Sequence, residues 1–403
     1  MILRNSTLMK KQKDNKIRSQ LYSLLKKHIQ LSHKPFVPNK TPIQYARANV
    51  DEEDLYSVVE TLLDGWFGLG EKGEQFERKL ASYVGVKHAC LVNSGSSADL
   101  IALATLSSKD VPNHLKEGDE IITPACTFPT LVSSIVHHRL KPVFVDINLE
   151  TLNPNPYDIE QAITKKTKAL FIVHTLGNPN EMDKINEIVK KHHLWLIEDN
   201  CDALGSTYKK RKTGTFGHMA TESFYPAHHI TTAGEGGAVV TNNYHLSRVA
   251  NSLRDWGRAC WCSAGGGPEN GVCGHRFDFK IGNVSYDHKY IFSQIGYNLK
   301  PIELQAAMGL VQLDKLPRFI QKRRQNFKTL ESFFENYQEF FHLHRKTPQS
   351  NPSWFAFPIT VKDNAPFTRF EITQHLEKNL IQTLVSSYEY LHFEPLTYYM
   401  SCT

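Results

Sequence analysis

With 403 residues, 40% apolar and 22% charged, the chain is long enough for a large globular domain and a smaller one, and its composition excludes a disordered or fibrous protein. No apolar run approaches the ~18 residues of a membrane span and the N-terminus has no apolar signal-peptide core, so the expectation is a cytoplasmic protein with no membrane partner. Much of the net charge of +6 sits in Lys10, Lys11, Lys13, Lys16, Arg18, Lys26 and Lys27; without interleaved aromatic residues this reads as a solvated helix, with nucleic-acid binding the weaker alternative, so no nucleic-acid partner is expected.

In chain order, residues 1–42 form a basic segment with one amphipathic helix, Ile17–Ile29, and a linker punctuated by Pro35, Pro38 and Pro42. Asp51–Leu63 predicts a helix, residues 65–70 a Gly-rich loop, and Gln75–Val84 a second helix. Then an alternation begins. Strands are expected at Ala89–Val92, Glu120–Thr123, Pro142–Asp146, Leu170–His174, Leu194–Asp199, Thr221–Tyr225 and Gly237–Val240. Helices fall between the first five, from Ser94, Thr127, Tyr157 and Glu181. Such regularity predicts a mostly parallel sheet covered by helices on both faces, with ligands outside the carboxyl ends of its strands. Leu246–Arg254 predicts another helix, and residues 259–276 a Cys- and Gly-rich loop. Ile302–Asn336 predicts a long helix broken near Leu316-Pro317. Trp354–Val361 alternates as a strand, and Phe367–Glu377 reads as a helix.

Several residues could carry chemistry. Asn93-Ser-Gly-Ser-Ser97 opens a helix, where backbone N–H groups, a glycine and hydroxyls suit an anion, although many such helix starts bind nothing. Asp199 ends an apolar strand. It either faces the ligand crevice, where it could hold a pyridinium nitrogen protonated, or caps a helix. Phe128 could stack on an aromatic cofactor or belong to the core. Cys260, Cys262 and Cys273 form a local group of thiols, with Cys201 the natural fourth ligand for a Cys₄ iron–sulfur or zinc site. Residues 221–241 read as a strand, a polar turn and a Gly-rich return. Pyridoxal-phosphate enzymes carry a Schiff-base lysine in such a turn, whereas here it holds His228 and His229.

These motifs together resemble the fold-type-I, aspartate-aminotransferase-like superfamily of sugar aminotransferases and dehydratases, and within it the CDP-4-keto-6-deoxyhexose 3-dehydratases. The resemblance is carried by Ser223-Phe-Tyr-Pro-Ala-His-His-Ile230 with Gly234-Glu-Gly-Gly237, Ile197-Glu-Asp-Asn-Cys-Asp-Ala-Leu-Gly205, Arg254-Asp-Trp-Gly-Arg258, His174-Thr-Leu-Gly-Asn178, Tyr286-Asp-His-Lys-Tyr290 and Gly296-Tyr-Asn-Leu-Lys300. It implies an α/β fold with a mixed, mostly parallel seven-stranded sheet between helices. Residues 43–300 would form the cofactor-binding domain and 301–403 a smaller α+β domain. It also implies pyridoxamine phosphate (or its pyridoxal form) held by Gly95, Ser96, Phe128, Asp199, Asp202 and Ser223. Asn298 would reach the phosphate of the neighbouring subunit of a homodimer. His228 would stand at the lysine position as catalytic base, with His229 as runner-up. Cys201, Cys260, Cys262 and Cys273 would hold a [2Fe–2S] cluster fed by an NADH-dependent flavin/iron–sulfur reductase. The product would lead to 3,6-dideoxyhexoses of lipopolysaccharide O-antigen.

Two features depart from that pattern. The loop between Cys262 and Cys273 is a few residues longer, and the sequence after about Ile381 does not continue as expected, so the small domain reads as atypical or truncated. Three other readings stay open: a lysine-less dehydratase for another nucleotide sugar, an inactive remnant that binds cofactor only, and structural zinc at the cysteines.

Overall fold

The structure is a computed structural model that describes residues 2–32, 34–45, 47–260 and 275–384. The expected loop residues 261–274, with Cys262 and Cys273, and the tail from residue 385 lie outside the described residues.

The strands follow the expected alternation: β1 (His88–Val92), β2 (Glu120–Pro124), β3 (Lys141–Val145), β4 (Thr167–Val173) and β5 (Trp195–Asp199). A short pair follows, β6 (Thr207–Tyr208) and β7 (Arg211–Lys212), and then β8 (Met219–Ser223) and β9 (Gly237–Thr241). Seven of these build one sheet in the order β1-β9-β8-β5-β4-β2-β3, in which β9 runs antiparallel to both its neighbours and the remaining pairs are parallel. The mixed, mostly parallel seven-stranded sheet is therefore as expected from the sequence.

Alternation along each strand divides the core. On β4, Ala169, Phe171 and Val173 face one side, where α4 (Gly95–Ser107), α5 (Pro129–His137) and α8 (Tyr244–Arg254) pack. Leu170 and Ile172 face the other side, with Ile159 of α6 (Pro156–Gln161) and Ile185 of α7 (Met182–His192). At the β1–β9 end, that second face is covered by Phe76 and Leu80 of α3 (Glu71–Val84) and by Ala306, Leu313, Leu316 and Ile320 of α9 (Glu303–Phe334). Each large side chain buried this way contributes about 1.5–3 kcal/mol.

The N-terminal helix is longer than expected. α1 covers Ile2–Ser32 and rests on α2 (Glu52–Asp64): Arg18 pairs with Asp64 at 2.9 Å, and the Tyr22 and Tyr56 rings meet edge-on at 5.3 Å. Helix α2 starts where the sequence suggests because Asp51 caps it and Asp54 reaches back to the Asp51 N–H.

Two expectations are corrected. Helix α9 runs without interruption through Pro317. The missing N–H costs about 3 kcal/mol in an isolated helix, and burial of Leu313, Leu316 and Ile320 on either side offsets it. Residues 354–359 are not a strand; only β14 (Thr360–Val361) pairs, with β12 (Phe341–His342). Pro358 has no N–H to give a ladder. Trp354 stacks on Phe327 at 3.8 Å, and the Phe355 N–H turns to Leu176 O at 2.9 Å. The segment thus lies over the carboxyl edge of the sheet. Small additions went unforeseen: the hairpin β10 (Phe279–Ile281) and β11 (Val284–Tyr286), and β13 (Ser350–Asn351) on β6. Helix α10 (Arg369–Lys378) is capped by Thr368 and Glu371.

Helix α9 also holds a loop from a distance. The buried Glu303 carboxylate accepts N–H bonds from Gly70 at 2.6 Å, Lys72 at 2.6 Å and Gly73 at 3.2 Å, so it caps α3 from another helix. Among the described residues no helix is long and apolar enough to cross a membrane.

Candidate active site

The carboxyl ends of β1, β5 and β8 converge on one place. After β1 the chain turns at Ser94, whose hydroxyl accepts the Ser97 N–H at 3.0 Å and starts α4. Gly95 lies against β8 and β5: a Cβ there would stand 2.5 Å from Ser223 Cβ, 2.8 Å from Ser223 Oγ and 3.3 Å from Cys201 Sγ. Only a residue without a side chain brings the first N–H groups of α4 this close to the sheet. Ser96 sits one residue on and donates to Thr130 Oγ1 at 2.9 Å.

Asp199 is buried at the end of β5 and accepts the Cys201 N–H at 3.0 Å. Its neighbour is Asp99, from the first turns of α4, which the sequence reading missed. One oxygen of each carboxylate and Cys201 Sγ all lie within 4.8 Å of one another. Burial and the charge of Asp199 push Asp99 well above the ordinary carboxylate range, and burial raises Asp199 as well. The only hint of Asp99 in the sequence is one acid inside the apolar run of α4.

The two histidines separate clearly. His229 is buried, donates from Nε2 to Ser353 O at 2.7 Å, and is held well below its usual pKa by burial and by the nearby Arg323 charge. His228 is half-buried, its Nδ1 stands 3.4 Å from Asp202 Oδ1, and its ring lies 5.1 Å from Phe355. Phe355 comes from the segment over the sheet edge. Gly177 admits that segment: a Cβ there, at φ +89°, would lie 2.2 Å from Ser353 O and 2.9 Å from Asp202 O.

The structure therefore gathers Gly95, Asp199, Cys201 and Ser223, with Asp202 and His228 beside them. Phe128 lies past the end of β2 on the same edge and is 52% exposed, so its ring is not part of the core. Asn298 is exposed and bridges to Asp255, and the next residue, Leu299, accepts the Asn93 N–H at 2.9 Å just before the start of α4. The group around Cys201 is made of carboxylates and does not include Cys260. Burial and those carboxylates push the Cys201 thiol well up, so it keeps its proton in this arrangement.

Comparison with known proteins shows the family and the architecture. A model of the DegT/DnrJ/EryC1/StrS aminotransferase family matches residues 48–401. The chain is 47% identical over 351 residues to a dTDP-4-dehydro-2,6-dideoxy-D-glucose 3-dehydratase of Saccharopolyspora spinosa, covering 86% of this chain and 75% of that one. It is 43% identical over 374 residues to the lipopolysaccharide biosynthesis protein RfbH of Salmonella typhimurium, covering 92% and 85%. Among solved structures, an E. coli GDP-4-keto-6-deoxy-D-mannose-3-dehydratase with bound hydrated PLP superimposes with a TM-score of 0.77 at 31% identity, over 91% of this chain and 90% of that one. The architecture is that of the PLP-dependent fold-type-I sugar aminotransferases and dehydratases.

Proposed function

The chain belongs to the DegT/DnrJ/EryC1/StrS aminotransferase family, and on that premise we propose that it is a pyridoxamine-phosphate-dependent 3-dehydratase of a CDP-linked 4-keto-6-deoxyhexose. Its product would lead to 3,6-dideoxyhexoses for lipopolysaccharide O-antigen. The observation that carries the reading is His228. It stands in the turn after β8, with no lysine there, and its Nδ1 lies 3.4 Å from Asp202 Oδ1. Imidazole cannot make a Schiff base, so the amine form of the cofactor persists while a group able to take up and release a proton remains.

The residues fit that cofactor. The N–H groups of Gly95 and Ser96 at the start of α4, with Ser223 beside them, suit a phosphate. Asp199 is a buried carboxylate that a protonated ring nitrogen would neutralise, and the half-exposed Phe128 offers a stacking face. When bound, the cofactor supplies an amine for the sugar ketone and a ring that accepts an electron pair. His228 does the proton work. Its Nδ1 stands 3.4 Å from Asp202 Oδ1 and makes no hydrogen bond among the described residues. With the sugar ketone joined to the cofactor amine, the His228 imidazole would take the carbon-bound proton beside that amine and pass it to the C3 hydroxyl as the group departs, so the joined sugar would lose one water. His229, spent on Ser353 O, is not placed for that task.

We assign residues 43–300 to the cofactor-binding unit, and Asn298 to the phosphate of the second subunit of a homodimer. The cysteine pattern supports a [2Fe–2S] cluster on Cys201, Cys260, Cys262 and Cys273, served by an NADH-dependent flavin/iron–sulfur reductase. Two of those ligands lie outside the described residues, and the protonated Cys201 would have to lose its proton first. The dehydration step does not depend on the cluster.

The test is to incubate the protein and pyridoxamine phosphate with CDP-, dTDP- and GDP-linked 4-keto-6-deoxyhexoses in turn and follow loss of one water by mass spectrometry. The CDP sugar is expected to react, and His228→Asn to be slower by about 10²–10⁴-fold. Amino transfer to the sugar in place of water loss refutes the reading, and reaction of the dTDP or GDP sugar alone refutes the CDP assignment.

A further inference from the structure

Arg323 lies on α9, in the basic run Gln321-Lys-Arg-Arg-Gln325. Its guanidinium donates to four backbone carbonyls on two separate segments. Nη2 reaches His228 O at 2.9 Å and Ala227 O at 3.5 Å, in the turn that carries the proposed base. Nη1 reaches Trp354 O at 3.1 Å and Phe355 O at 3.0 Å, in the segment whose Phe355 ring lies against the His228 imidazole. Burial works against the charge of Arg323, and Asp202, the partner of His228, supports it.

We propose that Arg323 is a positioning residue for His228: it pins the base-bearing turn and the Phe355 segment to one rigid helix, and so fixes the imidazole between Asp202 and Phe355. This deepens the dehydratase reading and rests on it for its catalytic half. Several features argue for positioning over general stability. The planar fork serves both segments at once, which a lysine ammonium cannot do. Ile230 also anchors the turn in the core and His229 Nε2 reaches Ser353 O; the Arg323 fork adds the tie from the backbone of residues 227 and 228, next to the imidazole itself. A base displaced by ~1 Å loses about 10²-fold in rate while the substrate still binds. Arg324, the next residue, provides an internal control. It donates to Pro352 O at 2.8 Å and Asn351 O at 3.0 Å, so it holds the same segment without touching the turn.

The test compares Arg323→Lys with Arg324→Lys in two ways. The first is amide hydrogen exchange of the protein without cofactor. Arg323→Lys is expected to speed exchange in peptides covering 225–230 and 353–356 by about tenfold or more, with the sheet unchanged. Arg324→Lys is expected to affect only the 350–356 peptide. The second is steady-state dehydration. Arg323→Lys is expected to lower kcat by about 10–100-fold with the KM for the nucleotide sugar within about twofold. Arg324→Lys is expected to leave kcat unchanged. Unchanged exchange at 225–230 in Arg323→Lys overturns the proposal, as does an unchanged kcat. If Arg323→Lys does not fold, Arg323→Gln takes its place under the same criteria. Wild-type protein that dehydrates no sugar refutes the proposed function, and the exchange comparison then decides the clamp alone.

Discussion

Replacing Gly95 by alanine tests the anion site with a magnitude set by the structure. The backbone at Gly95 is ordinary, so alanine adds only a methyl group, and that methyl meets Ser223 Cβ at 2.5 Å and Ser223 Oγ at 2.8 Å. Carbon atoms in contact need about 3.5–4.0 Å, so something must retreat by about 1 Å. Ser223 is poorly able to do so, because it is paired with Gly237 of β9, and Gly237 is itself packed against the Ser94 carbonyl. The start of α4 moves instead and carries the Gly95 and Ser96 N–H groups with it. Overpacking of this kind costs about 1–3 kcal/mol. If the strain is relieved by displacing the anion site, that corresponds to about 5–150-fold in affinity at 1.36 kcal/mol per tenfold. Calorimetric titration with pyridoxamine phosphate and with unphosphorylated pyridoxamine separates the causes. Gly95→Ala is expected to weaken the phosphorylated ligand by that factor and to leave the other within about twofold. Equal binding of pyridoxamine phosphate by variant and wild type refutes the assignment of the phosphate to the start of α4.

Two further outcomes are expected. His229 is neutral in the fold, its pKa depressed by burial and Arg323, while the unfolded chain titrates near 6.5. The unfolded state therefore binds more protons below that pH, and stability falls with acidification by up to about 1.4 kcal/mol per pH unit from about pH 6.5 downward. His229→Gln should flatten this slope, as urea midpoints at pH 7.5, 6.5 and 5.5 would show; parallel curves would rule the linkage out. Cys201→Ser, purified and reconstituted without oxygen, is expected to lose iron yet bind pyridoxamine phosphate as wild type does, and full iron content would move the ligand elsewhere.

The sheet was legible because its strands are short apolar runs that end at polar residues. Leu194-Trp-Leu-Ile-Glu-Asp199 is the clearest case: the apolar run sets strand β5, and the two acids at its carboxyl end, both buried, mark where polar side chains enter the site. Ser94 likewise announces the start of α4. What could not be read depends on partners distant in sequence. Pro317 looks like a helix end until the buried Leu313 and Leu316 before it and Ile320 after it are known. The alternation of Trp354–Val361 imitates a strand, whereas these aromatic side chains pack on Phe327 and His228. Asp99 and Arg323 look like an oddity and a surface charge, because their meaning lies in Asp199 and in the His228 turn. The choice between His228 and His229 also needed the third dimension. Adjacent residues in a turn point to different surroundings, and only one of these two meets a carboxylate.

The unbroken course of α9 makes it a ruler. Glu303 at its first turn fixes the Gly70 loop, and Arg323 reaches the His228 turn twenty residues later, about 30 Å along the same rod. Their spacing is therefore a matter of count as well as chemistry. One residue inserted or deleted between them would swing one anchor by about 100° relative to the other and shift it by about 1.5 Å. Length in this stretch is consequently less tolerant than identity: its exposed positions can vary freely, but an odd-sized insertion would uncouple the two loops even if every contacting side chain were kept.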